Sequence, residues 1–240
     1  MKLSDLRVKI YADGADLKDI IRDTQNPLIK GFTTNPTLML RSGVDDYSNF
    51  ARAALEVVGD KPISFEVFAD EPEDMFVQGL KISKWGPNVY VKIPITNTRG
   101  SSTRDAIREL SLEGVKVNIT AVVSLTQVTE AIKCLVCDVP AIISVFAGRV
   151  ADTGLDAGQL MFEAGRKLLF SSRPNCELLW ASTREPYNLY EADKCGCDII
   201  TVPHAILEKA TAMSGRDLEE VSLETVRMFY NDAKSSGYTL

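Results

Sequence analysis

Val89-Tyr90-Val91-Lys92-Ile93-Pro94-Ile95-Thr96 holds one lysine inside an otherwise apolar run. Side chains alternate faces along a strand. Val89, Val91, Ile93 and Ile95 therefore share a β-branched face, and Tyr90, Lys92, Pro94 and Thr96 share the other. A stripe of the first kind belongs beneath covering helices. Lys92 then points the opposite way, into whatever the sheet encloses. A buried ammonium is poorly solvated, which lowers its pKa and makes a nucleophilic amine available near neutral pH. Such an amine can form a Schiff base with a carbonyl substrate. On this stretch alone the plainer alternative, a strand-end lysine that reaches water, stays open.

Outward from this stretch, short β-branched runs alternate with amphipathic ones along the whole chain. The patterning predicts strands over 8–13, 31–35, 63–68, 89–95, 117–122, 141–146, 177–182 and 199–202. Helical spacing predicts helices over 15–24, 45–58, 71–85, 102–112, 125–137, 156–170, 186–195 and 205–213. Strands alternating with helices imply a parallel sheet, and eight such repeats closing on themselves make a (β/α)₈ (TIM) barrel. An open doubly wound sheet is the alternative. It would favour a Gly-rich phosphate loop after the first strand, where the chain has only Asp13-Gly14-Ala15. No break in composition divides the chain, so residues 1–240 are expected to form a single domain. A further amphipathic stretch makes 217–240 an extra C-terminal helix and tail.

The composition suits a globular protein, with 45% hydrophobic residues, enough to build a sizeable core. With 27 basic against 33 acidic residues the net charge is -6, and no long basic run appears. This argues against nucleic acid or a membrane surface as partner. The start of the chain, Met1-Lys2-Leu3-Ser4-Asp5-Leu6-Arg7, lacks the apolar core of a signal peptide. The five cysteines, an odd number, are then expected as reduced thiols in the cytoplasm. Cys134/Cys137 and Cys195/Cys197 have metal- or redox-like spacing, but a single histidine, His204, exists to complete a site. Structural cysteine is the expectation, with no metal and no cofactor.

If the barrel is right, the active site lies at the C-terminal ends of its strands, and the inward parity of each strand can be read. Tyr11 and Asp13 share it on the first strand, Thr33 and Asn35 on the second, Ser64, Glu66 and Phe68 on the third. Lys92 follows on the fourth, Asn118 and Thr120 on the fifth, Ser144 and Phe146 on the sixth, with Arg149 just beyond. Trp180 and Ser182 are read inward on the seventh, with Arg184 beyond. Buried polar groups are costly unless paired, and a set converging from seven strands is better explained by a site than by scattered core residues. Lys92 with the carboxylates Asp13 and Glu66 has what covalent amine catalysis with proton transfer requires. Asn35, Asn118, Thr120 and Ser144 suit a polyhydroxylated substrate, and Arg149, Ser182 and Arg184 suit a phosphate.

Gly31-Phe32-Thr33-Thr34-Asn35-Pro36-Thr37, Val91-Lys92-Ile93-Pro94, Asn118-Ile119-Thr120, Ser144-Val145-Phe146-Ala147-Gly148-Arg149 and Ala181-Ser182-Thr183-Arg184 together resemble the transaldolase family. They stand in the family's order, and the length is similar to its short branch of small transaldolases and fructose-6-phosphate aldolases. The resemblance implies a metal-free barrel that transfers a dihydroxyacetone unit between sugar phosphates in carbohydrate metabolism, of the pentose phosphate pathway type. It implies Lys92 as the Schiff-base lysine, Asp13 as acid/base, and Glu66 with Thr120 as holders of a catalytic water. Asn35, Asn118 and Ser144 would bind the dihydroxyacetone hydroxyls, and Arg149, Ser182 and Arg184 the phosphate. Thr33 and Phe146 would line the substrate site. It also implies a homo-oligomer, pentamer or decamer, joined through the C-terminal helix. Glu66 with Phe146 is similar to the transaldolase pattern, where the related aldolases tend to have Gln and Tyr. Val145, Gly14 and Thr183 depart from the common residues, which bears on substrate fit. Two further readings remain: an aldolase that releases free dihydroxyacetone, and a non-catalytic sugar-phosphate-binding barrel.

Overall fold

The computed structural model describes residues 2–136, 138–171 and 173–239. Among them, eight parallel strands close into a barrel in sequence order: β1 (Lys9–Asp13), β2 (Ile29–Thr33), β3 (Ile63–Glu66), β4 (Val89–Pro94), β5 (Val117–Val122), β6 (Ala141–Val145), β7 (Cys176–Trp180) and β8 (Ile199–Pro203). The connecting helices are α1 (Leu17–Thr24), α2 (Pro36–Arg41), α3 (Tyr47–Val58), α4 (Pro72–Ser83), α5 (Arg104–Leu112), α6 (Leu125–Cys134), α7 (Ala147–Asp152), α8 (Ala157–Leu169), α9 (Tyr187–Lys194) and α10 (His204–Met213). A last helix, α11 (Leu218–Ser236), follows the eighth repeat. The (β/α)₈ barrel and its extra helix are as the sequence pattern predicts.

Local chemistry explains the helix starts. Asp16, Asn35, Asp46, Ser124, Asp156 and Asp217 each accept a backbone N–H of the first turn through the side chain. Pro36 and Pro72 occupy first helical positions, where a missing N–H costs nothing. The short helices α2 and α7 are absent from the sequence reading. Each is six residues, too short to show a helical period. The pattern expected to run through residue 137 stops at Cys134. Cys137 lies outside the described residues, and Cys134, Cys176, Cys195 and Cys197 are free thiols.

Two cores divide the strand side chains by parity. Ile10, Phe32, Phe65, Val91, Ile93, Ile119, Val145, Leu178, Trp180 and Val202 face outward into one continuous core with the helices. Each fully buried side chain of this size contributes roughly 1.5–3 kcal/mol. Inside the barrel, Tyr11, Tyr90, Ile142, Leu179 and Ile199 form an apolar floor. Two residues further along four of these strands stand Asp13, Lys92, Ser144 and Thr201, so a polar layer begins immediately above the floor, while Ala181 extends the apolar cluster on β7.

The seventh strand corrects the sequence reading. Trp180 lies opposite Val145 and Ile200, both outward residues, and packs in the outer core, while Leu179 and Ala181 point inward. Phe68 also departs from its expected inward place, because β3 ends at Glu66 and Phe68 is exposed beyond it.

Gly31 lies opposite Tyr11, and a Cβ built on it would approach the Tyr11 ring to 2.5 Å. The ring is 2% exposed and has nowhere to retreat. Gly31→Ala is therefore expected to lower unfolding stability by about 1–3 kcal/mol through overpacking, measured by urea titration against wild type.

Candidate active site

Lys92 projects from the middle of β4 into the barrel and is 6% exposed. Its Nζ lies 2.9 Å from Glu66 Oε2, on the neighbouring strand, and donates to the Thr34 carbonyl at 3.0 Å. The strand register sets this pairing, since Glu66 is directly opposite Lys92. The amine is thus removed from water yet partnered, which distinguishes it from a surface lysine. The plainer alternative of a solvent-reaching side chain is excluded.

Asp13 ends β1 and accepts a hydrogen bond from Thr33 Oγ1 at 2.8 Å. Thr33 is in turn hydrogen-bonded to Thr201 on β8. Burial raises the Asp13 pKa, opposed by the Lys92 charge and the Thr33 hydrogen bond. A carboxyl under these opposing influences can hold or release a proton. On the other side of Lys92, Asn118 donates to Ser64 Oγ at 3.0 Å and accepts from Ser144 Oγ at 2.7 Å. This chain of side chains spans β3, β5 and β6 and fixes the Asn118 amide in one orientation.

Thr120 lies one pleat above Asn118, and its buried hydroxyl has no partner among the described residues. The next residue, Ala121, has φ +59°, where a side chain is disfavoured, and the β5–β6 register slips between Ile119 and Val122. This is a β-bulge, a device that re-aims side chains at barrel rims. A buried orphan hydroxyl costs about 1–3 kcal/mol, and tolerated local cost of this kind marks a site rather than a core.

Beyond β6 and β7 the chain makes a second, more exposed cluster. Gly148 N–H donates to the Ala181 carbonyl at 3.4 Å, and a Cβ on Gly148 would fall 1.7 Å from the Ser182 carbonyl oxygen. Glycine is thus required where the two loops press together. Ser182 has φ +65°, which breaks strand alternation and gives its side chain a direction that parity does not describe. Thr183 Oγ1 ties the same loop to the Thr201 carbonyl at 2.7 Å. The Arg149 guanidinium carbon lies 5.8 Å from the centre of the Phe146 ring. Arg184 instead pairs with Asp152, Nη2 to Oδ2 at 2.6 Å.

The structure therefore places Lys92 with Glu66, Asp13 with Thr33, and Asn118 with Ser144 as three bonded groups inside the barrel, with Thr120 one pleat above Asn118. Asn35 is not on a strand. It follows β2 and caps α2, its Oδ1 accepting from Leu38 N–H at 3.0 Å, which leaves the amide nitrogen free for other bonds. Thr34 and Thr201 were missed by parity reading. Thr34 acts through its carbonyl, which carries no side-chain signal. Thr201, a lone polar residue on the Ile199 parity, was legible but unread. His204 opens α10 with Nδ1 3.3 Å from Asp23 and Nε2 2.8 Å from Glu208. Among the described residues no cluster of three or more His, Cys, Asp or Glu side chains could hold a metal ion.

A family profile described as Transaldolase/Fructose-6-phosphate aldolase matches residues 10–239. The chain belongs to that family. Among curated relatives, a "Probable transaldolase" of Lactiplantibacillus plantarum is 35% identical over 84% of this chain and 88% of its own. Another of that name from Dehalococcoides mccartyi is 31% identical over 83% of this chain and 88% of its own. A third, from Exiguobacterium, is 29% identical over 95% of this chain and all of its own length.

The raised pKa of Asp13 carries a stability consequence. Above the ordinary carboxylate value of 3.8 the unfolded chain has lost this proton while the folded chain still holds it. The folded state then binds more protons, so this residue's contribution to stability falls as pH rises from the ordinary value to the raised one. Asp13→Asn is expected to be more stable than wild type at neutral pH. That advantage should shrink as pH falls from the raised value toward 3.8, by no more than about 1.4 kcal/mol per pH unit, and level off below it. Thermal denaturation of both proteins across pH measures it.

Proposed function

We propose that this chain is a transaldolase that moves a dihydroxyacetone unit from a ketose phosphate to an aldose phosphate through a Schiff base on Lys92. The observation that carries the reading is the buried Lys92 amine, paired with Glu66 at 2.9 Å inside a barrel that also holds the Thr33–Asp13 and Ser64–Asn118–Ser144 hydrogen-bonded sets. Glu66 is placed to take the proton that Nζ must lose before it attacks. Nζ adds to the C2 carbonyl of the ketose, and loss of water leaves an iminium. Glu66 and Thr120 hold that water, an assignment that gives the orphan Thr120 hydroxyl a partner. Asp13 takes the proton of the C4 hydroxyl, the C3–C4 bond breaks, and its electrons move into the iminium to form an enamine while an aldehyde departs. The enamine carbon then attacks the acceptor aldehyde, Asp13 returns its proton, and water frees Lys92.

Asn35, Asn118 and Ser144 bind the hydroxyls of the transferred unit, with Thr33 orienting Asp13 and Phe146 closing the apolar side. Arg149, Ser182 and Arg184 receive the phosphate. Fructose 6-phosphate and sedoheptulose 7-phosphate are the expected donors, within sugar metabolism of the pentose phosphate type. The enzyme acts in the cytoplasm, with residues 1–240 forming a single domain, and needs no cofactor. The alternative, an aldolase that releases free dihydroxyacetone, is disfavoured by Glu66, since a carboxylate can shuttle protons through water and an amide cannot.

Incubation with fructose 6-phosphate and borohydride is expected to leave a reduced three-carbon adduct on Lys92, detected by peptide mass spectrometry and absent from Lys92→Met. A folded protein without that adduct would refute the mechanism. Turnover of fructose 6-phosphate should depend on an added acceptor aldose. Free dihydroxyacetone formed equally fast without acceptor would favour the aldolase.

The same proposal includes assembly into a homo-oligomer, pentamer or decamer. In support, α11 buries none of its residues against its own barrel and exposes Leu218, Val226, Phe229 and Tyr230. An unpartnered apolar helix of this kind calls for a cover. Light scattering is expected to give a multiple of the chain mass, and deletion of 217–240 to reduce it.

A further inference from the structure

Arg149 and Arg184 look equivalent in sequence but differ in the structure. Arg149 lies over the Phe146 ring and has no carboxylate bond among the described residues. Arg184 presents one whole edge of its guanidinium to Asp152. Its Nε is 3.2 Å from both carboxylate oxygens and its Nη2 is 2.6 Å from Oδ2. That edge is the fork by which arginine grips a phosphate through two parallel hydrogen bonds. Asp152 ends α7, three residues after Arg149, and its carboxyl is held below its ordinary pKa chiefly by the Arg184 hydrogen bond, with Arg149 adding a smaller pull. It is therefore ionised at working pH. The stem of Arg184 crosses Gly148, its Cγ 3.1 Å from where a Cβ would stand, so the side chain runs along α7 over the position that glycine leaves open.

We propose that Asp152 is an affinity-setting residue, an internal anion that occupies the phosphate-gripping edge of Arg184 in the free enzyme and yields it to the substrate. This rests on the assignment of Arg149, Ser182 and Arg184 as the phosphate site. The pair is about half exposed, 47% for Arg184 and 54% for Asp152. Solvent therefore screens it, and exchange for a doubly charged phosphate is favourable. Until substrate arrives the site carries one open arginine rather than two. That weakens its hold on inorganic phosphate and keeps sugar phosphates from being bound more tightly in the ground state than turnover requires.

The test compares inhibition by inorganic phosphate, and KM for fructose 6-phosphate, in wild type, Asp152→Asn, Asp152→Ser, Arg184→Gln, Arg149→Gln and the double variant Asp152→Asn/Arg184→Gln. Circular dichroism checks the fold of each. Removing the competing charge is expected to strengthen phosphate inhibition and lower KM by about two- to fivefold, the span of an exposed ion pair, with kcat moving less than KM. The double variant should match Arg184→Gln alone, because without the arginine there is nothing to compete for. If Asp152→Asn and Asp152→Ser instead weaken phosphate binding as Arg184→Gln does, Asp152 holds the arginine in place and the proposal is overturned. If its effect persists undiminished in the Arg184→Gln background, competition for that arginine is excluded. Unchanged phosphate inhibition in both Arg184→Gln and Arg149→Gln would remove the phosphate-site assignment itself, a result separate from the other two.

Discussion

A charged amine inside a closed barrel is the constraint to which the rest of the structure answers. Desolvating an ammonium costs several kcal/mol unless acceptors replace the lost water. Here Glu66, at the end of β3, and the carbonyl of Thr34, just past β2, do so, and backbone hydrogen bonding fixes both, Thr34 N–H donating to the Ser64 carbonyl at 3.1 Å. Barrel closure makes the pairing possible, because it brings the ends of distant strands around one point. The apolar floor of Tyr11, Tyr90, Ile142, Leu179 and Ile199 closes the interior below, so the polar layer opens in one direction only.

The departures from unstrained geometry gather at the mouth of this layer. Ala121 and Ser182 are the non-glycine residues with left-handed backbone among the described ones, the first inside the β5 bulge and the second two residues past the end of β7. Such conformations cost on the order of 1–3 kcal/mol and persist where the surroundings over-determine them. Around Ser182 the determinants are visible: its carbonyl presses on Gly148, and Thr183 anchors the following residue to β8. The outer core of helices and strand faces supplies the stability against which these local costs are tolerated.

Strand alternation holds where the chain stays in regular strand. Asp13, Thr33, Glu66, Lys92, Asn118, Thr120 and Ser144 all face inward as alternation requires. It failed where the backbone leaves that geometry. Trp180 and Ser182 share a parity in sequence, but Trp180 packs in the outer core and Ser182 has left-handed backbone, so alternation does not carry through to it. Asn35 was assigned to β2, but that strand begins earlier and ends at Thr33, and the amide became a helix cap. Arg149 and Arg184 carried the same chemical label until their neighbours were known.

By itself the sequence determined the architecture and the inward, buried place of Lys92, because hydrophobic periodicity is a local property and one lysine on a strand of β-branched residues has few places to go. Tertiary structure decided which groups meet that amine. The Glu66–Lys92 contact, the Ser64–Asn118–Ser144 chain and the capture of Arg184 by Asp152 each depend on register between strands or on the docking of one loop against another. Those relations are set by packing over the whole barrel, and no short window of residues encodes them.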